Sequence, residues 1–199
     1  MTVGARDITG VPGFHSKMPR IKSIIFFALI FICSACATTH PLPDNARFID
    51  VPFFKQDDYQ CGPSALATVI NYWYGKTQSN KYVPHEEIIK EIYSPTARGT
   101  LTIDLELYAR RLGFSVQQYS GNIDDLRAAL DKGVPPIILV DYGFSIYQVN
   151  HFMVVTGYTE KGIILNTGRE RNKIIFNEEL FGIWGKTGFW TLVIKPLGL

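Results

Sequence analysis

Cysteine is scarce, with three in 199 residues. Two of them, Cys33 and Cys36, close an apolar run near the N-terminus, so the body of the chain owns one thiol, Cys61, and no internal disulfide can form there. Charge is scarce too. Charged residues make up 19% of the chain, 20 basic against 18 acidic for a net +2, and no basic block exists that could track a phosphate backbone; nucleic acid is excluded as an expected partner. Long apolar runs are missing: the longest, Ile24 to Cys33, is half the ~20 residues that a spanning helix needs. Neither HExxH nor CxxC occurs in the body, and His85-Glu86-Glu87 lacks a second histidine four residues on, so no metal site and no cofactor are expected. Two Gly-Lys-Thr triplets, at 75–77 and 185–187, are not phosphate-cradling loops, because Ile70 and Leu180 stand where the loop's earlier glycine belongs. Internal repeats and low-complexity tracts are absent. What is abundant is apolar residues, 46% of the chain, enough to bury one domain's core.

The N-terminus reads as an address. Arg20 and Lys22 precede the apolar run, and Ser34, Ala35 and Cys36 follow it, the anatomy of a secretory signal peptide. The segment Cys33-Ser34-Ala35-Cys36 resembles a bacterial lipobox, in which small residues precede a cysteine that is lipidated and becomes the mature first residue. Cys33 stands where an aliphatic residue is usual. The expected organisation is therefore a signal peptide over residues 1–35, with 1–17 as an over-extended start, a lipidated tether over 36–47 and one domain over 48–199. Lipidation at Cys36 implies a membrane partner and a cell-envelope location, and Ala37 suits the outer membrane, facing the periplasm, if the cell is Gram-negative.

Within the domain, CGPSALATVINYWYG has the spacing of a mostly buried helix entered at Cys61. Pro63 suits its first turn and Gly75 its end. Further helices are expected over His85–Ile92, Thr102–Leu112 and Ile123–Lys132, the last capped by Asn122, with a short one from Glu178 to Trp184. Strands follow in FSVQQY, PPIILVDYG, HFMVVTGY, GIILNTG, NKIIF and FWTLVIKP. Helices first and antiparallel strands afterwards spell an α+β fold, with N-terminal helices packed on a C-terminal antiparallel sheet.

A lone thiol in an exported chain is either inert or kept for its reactivity. At a helix N-terminus the unpaired N–H groups and the macrodipole favour a thiolate, and a histidine partner adds to this, so Cys61 is the expected nucleophile with a lowered pKa. Of the four histidines only His151, opening the strand HFMVVTGY, is placed for chemistry; its bland alternative is a core histidine bonded to a carbonyl. Gln56, five residues before Cys61, is the natural side-chain amide for an oxyanion, or else a solvated loop residue. A hairpin centred near Glu160 brings His151 opposite residues 167–169, with Asn166 at the same open end. Asn166 could hold the imidazole or could serve the turn beside Gly168; Asp141 and, more distantly, Asn150 are rival orienters. Residues between Tyr74 and Thr102 and from Asp141 to Asn150 are expected to rim the cleft.

The strings DVPFFKQDDYQCGPSALATVINYW and NHFMVVTGYTEKGIIL resemble the family-39 cysteine peptidases, the papain-like group whose best-known members remove double-glycine leaders from bacteriocin precursors. The resemblance runs from about Asp50 to Pro196. It implies a papain-like fold, a peptide or protein substrate, a Cys61 nucleophile, a His151 general base and acid, a Gln56 oxyanion donor and an Asp or Asn as third member, here Asn166. The ending Leu165-Asn166-Thr167-Gly168 departs from the common Asn-Asp-Pro-like one. The expected function is a cysteine peptidase at the cell envelope. The alternatives are a catalytically silent papain-like binding or interaction module and, on the same thiol, amidase or transpeptidase chemistry on cell-wall peptides.

Overall fold

A computed structural model describes Met1 and residues 42–198. The expected signal peptide, the lipidated Cys36 and the tether as far as Pro41 lie outside the described residues. Among those described, no helix is long and apolar enough to cross a membrane.

The first element is a two-residue strand, β1 (Arg47–Phe48). Helix α1 (Cys61–Lys76) follows, buried without interruption from Gly62 to Tyr74, which explains its weak amphipathic pattern: a helix enclosed on all sides has no polar face to keep. Helices α2 (His85–Ile92) and α3 (Thr102–Arg111) pack beside it through Ile88, Ile92, Leu105 and Tyr108. Strand β2 (Phe114–Ser120) leads to α4 (Ile123–Asp131), then to β3 (Ile137–Asp141), β4 (Asn150–Tyr158), β5 (Gly162–Asn166) and β6 (Lys173–Phe176). Helix α5 (Asn177–Gly185) precedes the final strand, β7 (Trp190–Pro196).

Among the described residues seven strands form one antiparallel sheet, six of them in the order β2-β7-β3-β4-β5-β6, with β1 joined to β4 off that path. β4 is its longest strand and its organiser. β3 pairs with its first half, from Asn150 to Val154, β1 pairs with Gly157 and Tyr158, and β5 runs along its other edge. Side chains alternate as the pleat requires. Ile137, Phe152 and Val154 enter the core shared with α1, α2 and α3, whereas Ile138, Met153 and Val155 enter a second core with Leu126 and Leu130 of α4 and Leu180 and Trp184 of α5. Helices therefore cover both faces: the N-terminal ones pack on the sheet as expected, and α4 and α5 cover its second face. The run of apolar residues in β3, β4 and β5 is the signature of strands buried on both sides.

The cap expected at Asn122 is a reciprocal box. Asn122 Oδ1 accepts from the Asp125 N–H at 2.9 Å, and Asp125 Oδ2 accepts from the Asn122 N–H at 3.0 Å. Asn122→Ala should lower stability by about 1 kcal/mol, the usual value of an N-cap, with activity unchanged; chemical denaturation of the two proteins measures it.

Candidate active site

Cys61 is the first residue of α1; the preceding Gln60 makes no side-chain cap and the first turn carries no acid. Gly62 permits a close approach from the facing wall. A Cβ there would stand 2.8 Å from Thr100 Cβ, so a side chain at 62 would push the segment 97–101 off the start of the helix.

The pairing of Val154 with Asn166 sets the register of β4 and β5. Continued to the open end, it places His151 opposite residue 169, as the hairpin expected from sequence does. The β5 chain turns away after Asn166. Backbone N–H groups of Phe152, Gly62 and Cys61 itself then favour a thiolate on Cys61, and the Arg169 charge adds to them, but burial outweighs all four and pushes the thiol up from its ordinary value. The lowered pKa expected from the helix start is therefore not the resting state: N–H donors act on an anion, whereas enclosure penalises the anion's formation. His151 shifts the other way. Burial pushes it below its ordinary value and the Arg169 charge acts in the same sense, while the Thr167 carbonyl opposes them. Both groups therefore favour the uncharged form.

His151 Nε2 lies 2.8 Å from the backbone oxygen of Thr167. A carbonyl only accepts, so Nε2 carries the hydrogen, and in the neutral ring Nδ1 is left as the basic nitrogen. The side chain expected to do this, Asn166, is engaged elsewhere. It lies opposite Val154, buried, with Oδ1 accepting from the Asn172 N–H at 2.9 Å and Nδ2 without a partner among the described residues. Asp141 is a strand-end cap: its Oδ1 accepts from the N–H groups of Gly143 and Val149, both at 2.7 Å, and the Val149 bond leads the causes that hold its carboxyl below the usual range. Asn150 is exposed at the cleft margin.

Gln56 is buried, and its own N–H donates to the Gly168 oxygen at 2.9 Å. Its side-chain oxygen is enclosed without a hydrogen-bond partner among the described residues, packed where a Cβ on Gly168 would overlap it. That leaves Nε2 as the end of the amide open to the cleft.

Cys61, His151 and Gln56 thus line one cleft of about 620 Å³. Arg98 to Leu101 form part of one wall and Tyr142, Val149 and Asn150 part of another, the two segments expected to rim it. Arg169, not foreseen as a site residue, also borders it, bonded to Asp58 at 2.9 Å. The β3–β4 loop beyond Tyr142 exposes Phe144, Ile146 and Tyr147, each to 76% or more, so Tyr147 is no core residue, whereas Trp73 and Trp184 are. Among the described residues no group of three His, Cys, Asp or Glu side chains could hold a metal ion.

Comparison with known proteins agrees with this architecture. The sequence model of the Peptidase_C39 like family matches residues 48–186. Among solved structures, the chain is similar to a double-glycine-motif protease from an AMS/PCAT transporter, solved with its leader peptide: 25% identity, 75% of this chain and 94% of that one covered, TM-score 0.59. It shares its fold with the peptidase domain of Streptococcus ComA (20% identity, 72% and 96% covered, TM-score 0.56) and with a C39-like peptidase from Bacillus anthracis (15%, 76% and 98%, 0.59). Among curated protein sequences none matches. The family match and the fold relatives support a peptidase function and a papain-like fold.

Two outcomes follow from the titration directions. Because the pair favours its uncharged form, alkylation of Cys61 by iodoacetamide should climb only above the ordinary thiol pKa of about 8.5. A fast limb below pH 7 that disappears in His151→Ala would show an ion pair instead. His85, buried against Phe54 and bonded to Ser64, is pushed down by burial like His151. With folded-state pKa values below the unfolded reference of about 6.5, the unfolded chain binds more protons on acidification, so stability falls as pH drops from 7 through that window. The thermal midpoint should be lower at pH 5.5 than at 7.5, and His85→Gln should flatten the difference.

Proposed function

Because the chain belongs to the Peptidase_C39 like family, we propose that it is a cysteine peptidase of the cell envelope, cleaving peptide bonds through Cys61 and His151. The observation that carries this reading is the convergence of the helix-start thiol, a histidine with its Nε2 tied off and a seated glutamine amide on one cleft.

His151 Nδ1 takes the thiol proton as Cys61 Sγ adds to the substrate carbonyl. The backbone N–H of Cys61 and the Gln56 Nε2 hydrogens receive the oxyanion. The imidazolium then returns its proton to the leaving amine, the C–N bond breaks, and a thioester remains on Cys61. Water, deprotonated by His151, hydrolyses the thioester to the acid and restores the thiol. A resting uncharged pair suits this sequence, since the imidazole begins as a base and becomes an acid only after the first transfer.

A peptide as substrate is supported by the relative solved with its leader peptide bound. The envelope location rests on the apolar run from Ile24 to Cys33 and on Cys36, the lipidation site read in the sequence. The tether would place the cleft at a membrane surface, where peptides crossing or leaving the envelope are at hand.

The test is hydrolysis of a diverse peptide library by the full chain, read by mass spectrometry. Cys61→Ala should abolish cleavage, and Gln56→Ala should lower kcat by about 10²-fold or more, as loss of one oxyanion donor does. Full cleavage by Cys61→Ala would overturn the reading. A wild-type chain that cleaves nothing would favour a silent papain-like binding module.

A further inference from the structure

The peptidase reading calls for a group that orients the histidine, and no side chain of the described residues bonds its ring. Three observations converge instead on the few residues after β5. The Thr167 carbonyl accepts from His151 Nε2 at 2.8 Å. The next carbonyl, that of Gly168, accepts from the backbone N–H of Gln56 at 2.9 Å, and the missing Cβ of Gly168 makes room for the Gln56 side chain. Gly168 has φ +76°, a conformation that a side chain would strain even without the overlap.

The turn that aims these carbonyls is closed by the Thr167 hydroxyl. Its oxygen accepts from the Glu170 N–H at 2.9 Å and from the Arg169 N–H at 3.3 Å, while the Thr167 N–H donates to the Glu170 oxygen at 3.0 Å. A threonine side chain satisfying the N–H groups two and three residues ahead is the ST-turn arrangement, and it fixes the peptide plane that carries the Thr167 oxygen.

We propose that the turn Thr167–Glu170 is the positioning element of this site: the Thr167 main-chain carbonyl holds the His151 tautomer in place of a side-chain amide or carboxylate, and Gly168 seats Gln56. Thr167 and Gly168 are positioning residues, with no contact to the reacting atoms. Asn166 has a different task, closing the segment to Asn172 through its Oδ1. The inference rests on the peptidase reading for its catalytic consequence, but its first readout needs no substrate.

That readout is the ¹⁵N spectrum of the full chain labelled at histidine, with the His151 signals assigned by comparison with His151→Gln. Above its pKa the wild-type ring should be in the Nε2–H form; a predominant Nδ1–H form would overturn the proposal whatever the variants do. Thr167→Val, which keeps shape and removes the hydroxyl, should give a mixture of tautomers and a lower His151 pKa, since the carbonyl favours the protonated ring. Thr167→Ser should restore both. In a peptide assay Thr167→Val should lose about tenfold or more in kcat with KM within about threefold, and the acid limb of its pH profile should move down. Gly168→Ala should lower kcat while leaving the tautomer as in wild type. Asn166→Ala should leave the tautomer unchanged as well; if it shifts the tautomer and Thr167→Val does not, the side chain is the orienter and the proposal falls. Should Thr167→Val not fold, the wild-type and Asn166→Ala spectra still decide. A chain that hydrolyses no peptide yet shows the expected tautomer pattern refutes the peptidase reading and leaves the positioning role standing.

Discussion

The enclosure of α1 is the constraint on which the site depends. Thirteen of its sixteen residues are buried, so its position is set by packing from several directions. Polar bonds add register to that packing. Asn71 exchanges hydrogen bonds with the backbone of Val83, Trp73 Nε1 donates to the Ile194 oxygen in β7, Tyr72 donates to the Gly133 oxygen, and Ser64, one turn from Cys61, is bonded to His85 of α2. A helix held at so many points cannot slide along its axis without breaking buried bonds, each costly when its partner is lost. Cys61 is thereby delivered to a fixed point against β4, and the N–H of Phe152 meets the thiol there.

The same enclosure sets the electrostatics. A helix N-terminus and three N–H groups would ordinarily stabilise a thiolate, and an exposed cysteine so placed would ionise readily. Here the cost of burying charge is larger and acts on both partners, raising the thiol and lowering the imidazole. The site holds donors already aimed at negative charge but no resting negative charge. Such preorganisation matters when charge develops during reaction, because the donors need no further reorientation at that moment.

Around this rigid centre the cleft is walled by loops. The segment 97–101 leans on Gly62, and the β3–β4 loop is secured by the Asp141 carboxylate and by Lys186 Nζ, which donates to the Gly143 oxygen at 2.7 Å. The division of labour is a common one: the helix and the central strand carry the reacting groups, and loops of independent sequence face whatever enters.

Much of this was legible in the sequence. The lone body thiol before a buried-helix pattern located Cys61, a histidine opening an apolar strand located His151, and the hairpin register placed residues 167–169 opposite it, all because side-chain type and periodicity are local properties of the chain. Asn122 was legible as a cap for the same reason. Three things were not. Packing of α4 and α5 on the second face of the sheet depends on chain reversals that no local pattern records. The balance of burial against N–H donors at Cys61 depends on how many neighbours surround it. The group that holds His151 is a main-chain carbonyl, which every residue possesses, so no residue type could advertise it, and Asn166 drew attention because it stands at the same open end of the hairpin with a side chain that could have done the work. Sequence by itself determined which side chains are available for chemistry; the tertiary structure decided which of them meet and which backbone groups stand in for those that do not, because backbone groups acquire identity only from the place the fold gives them.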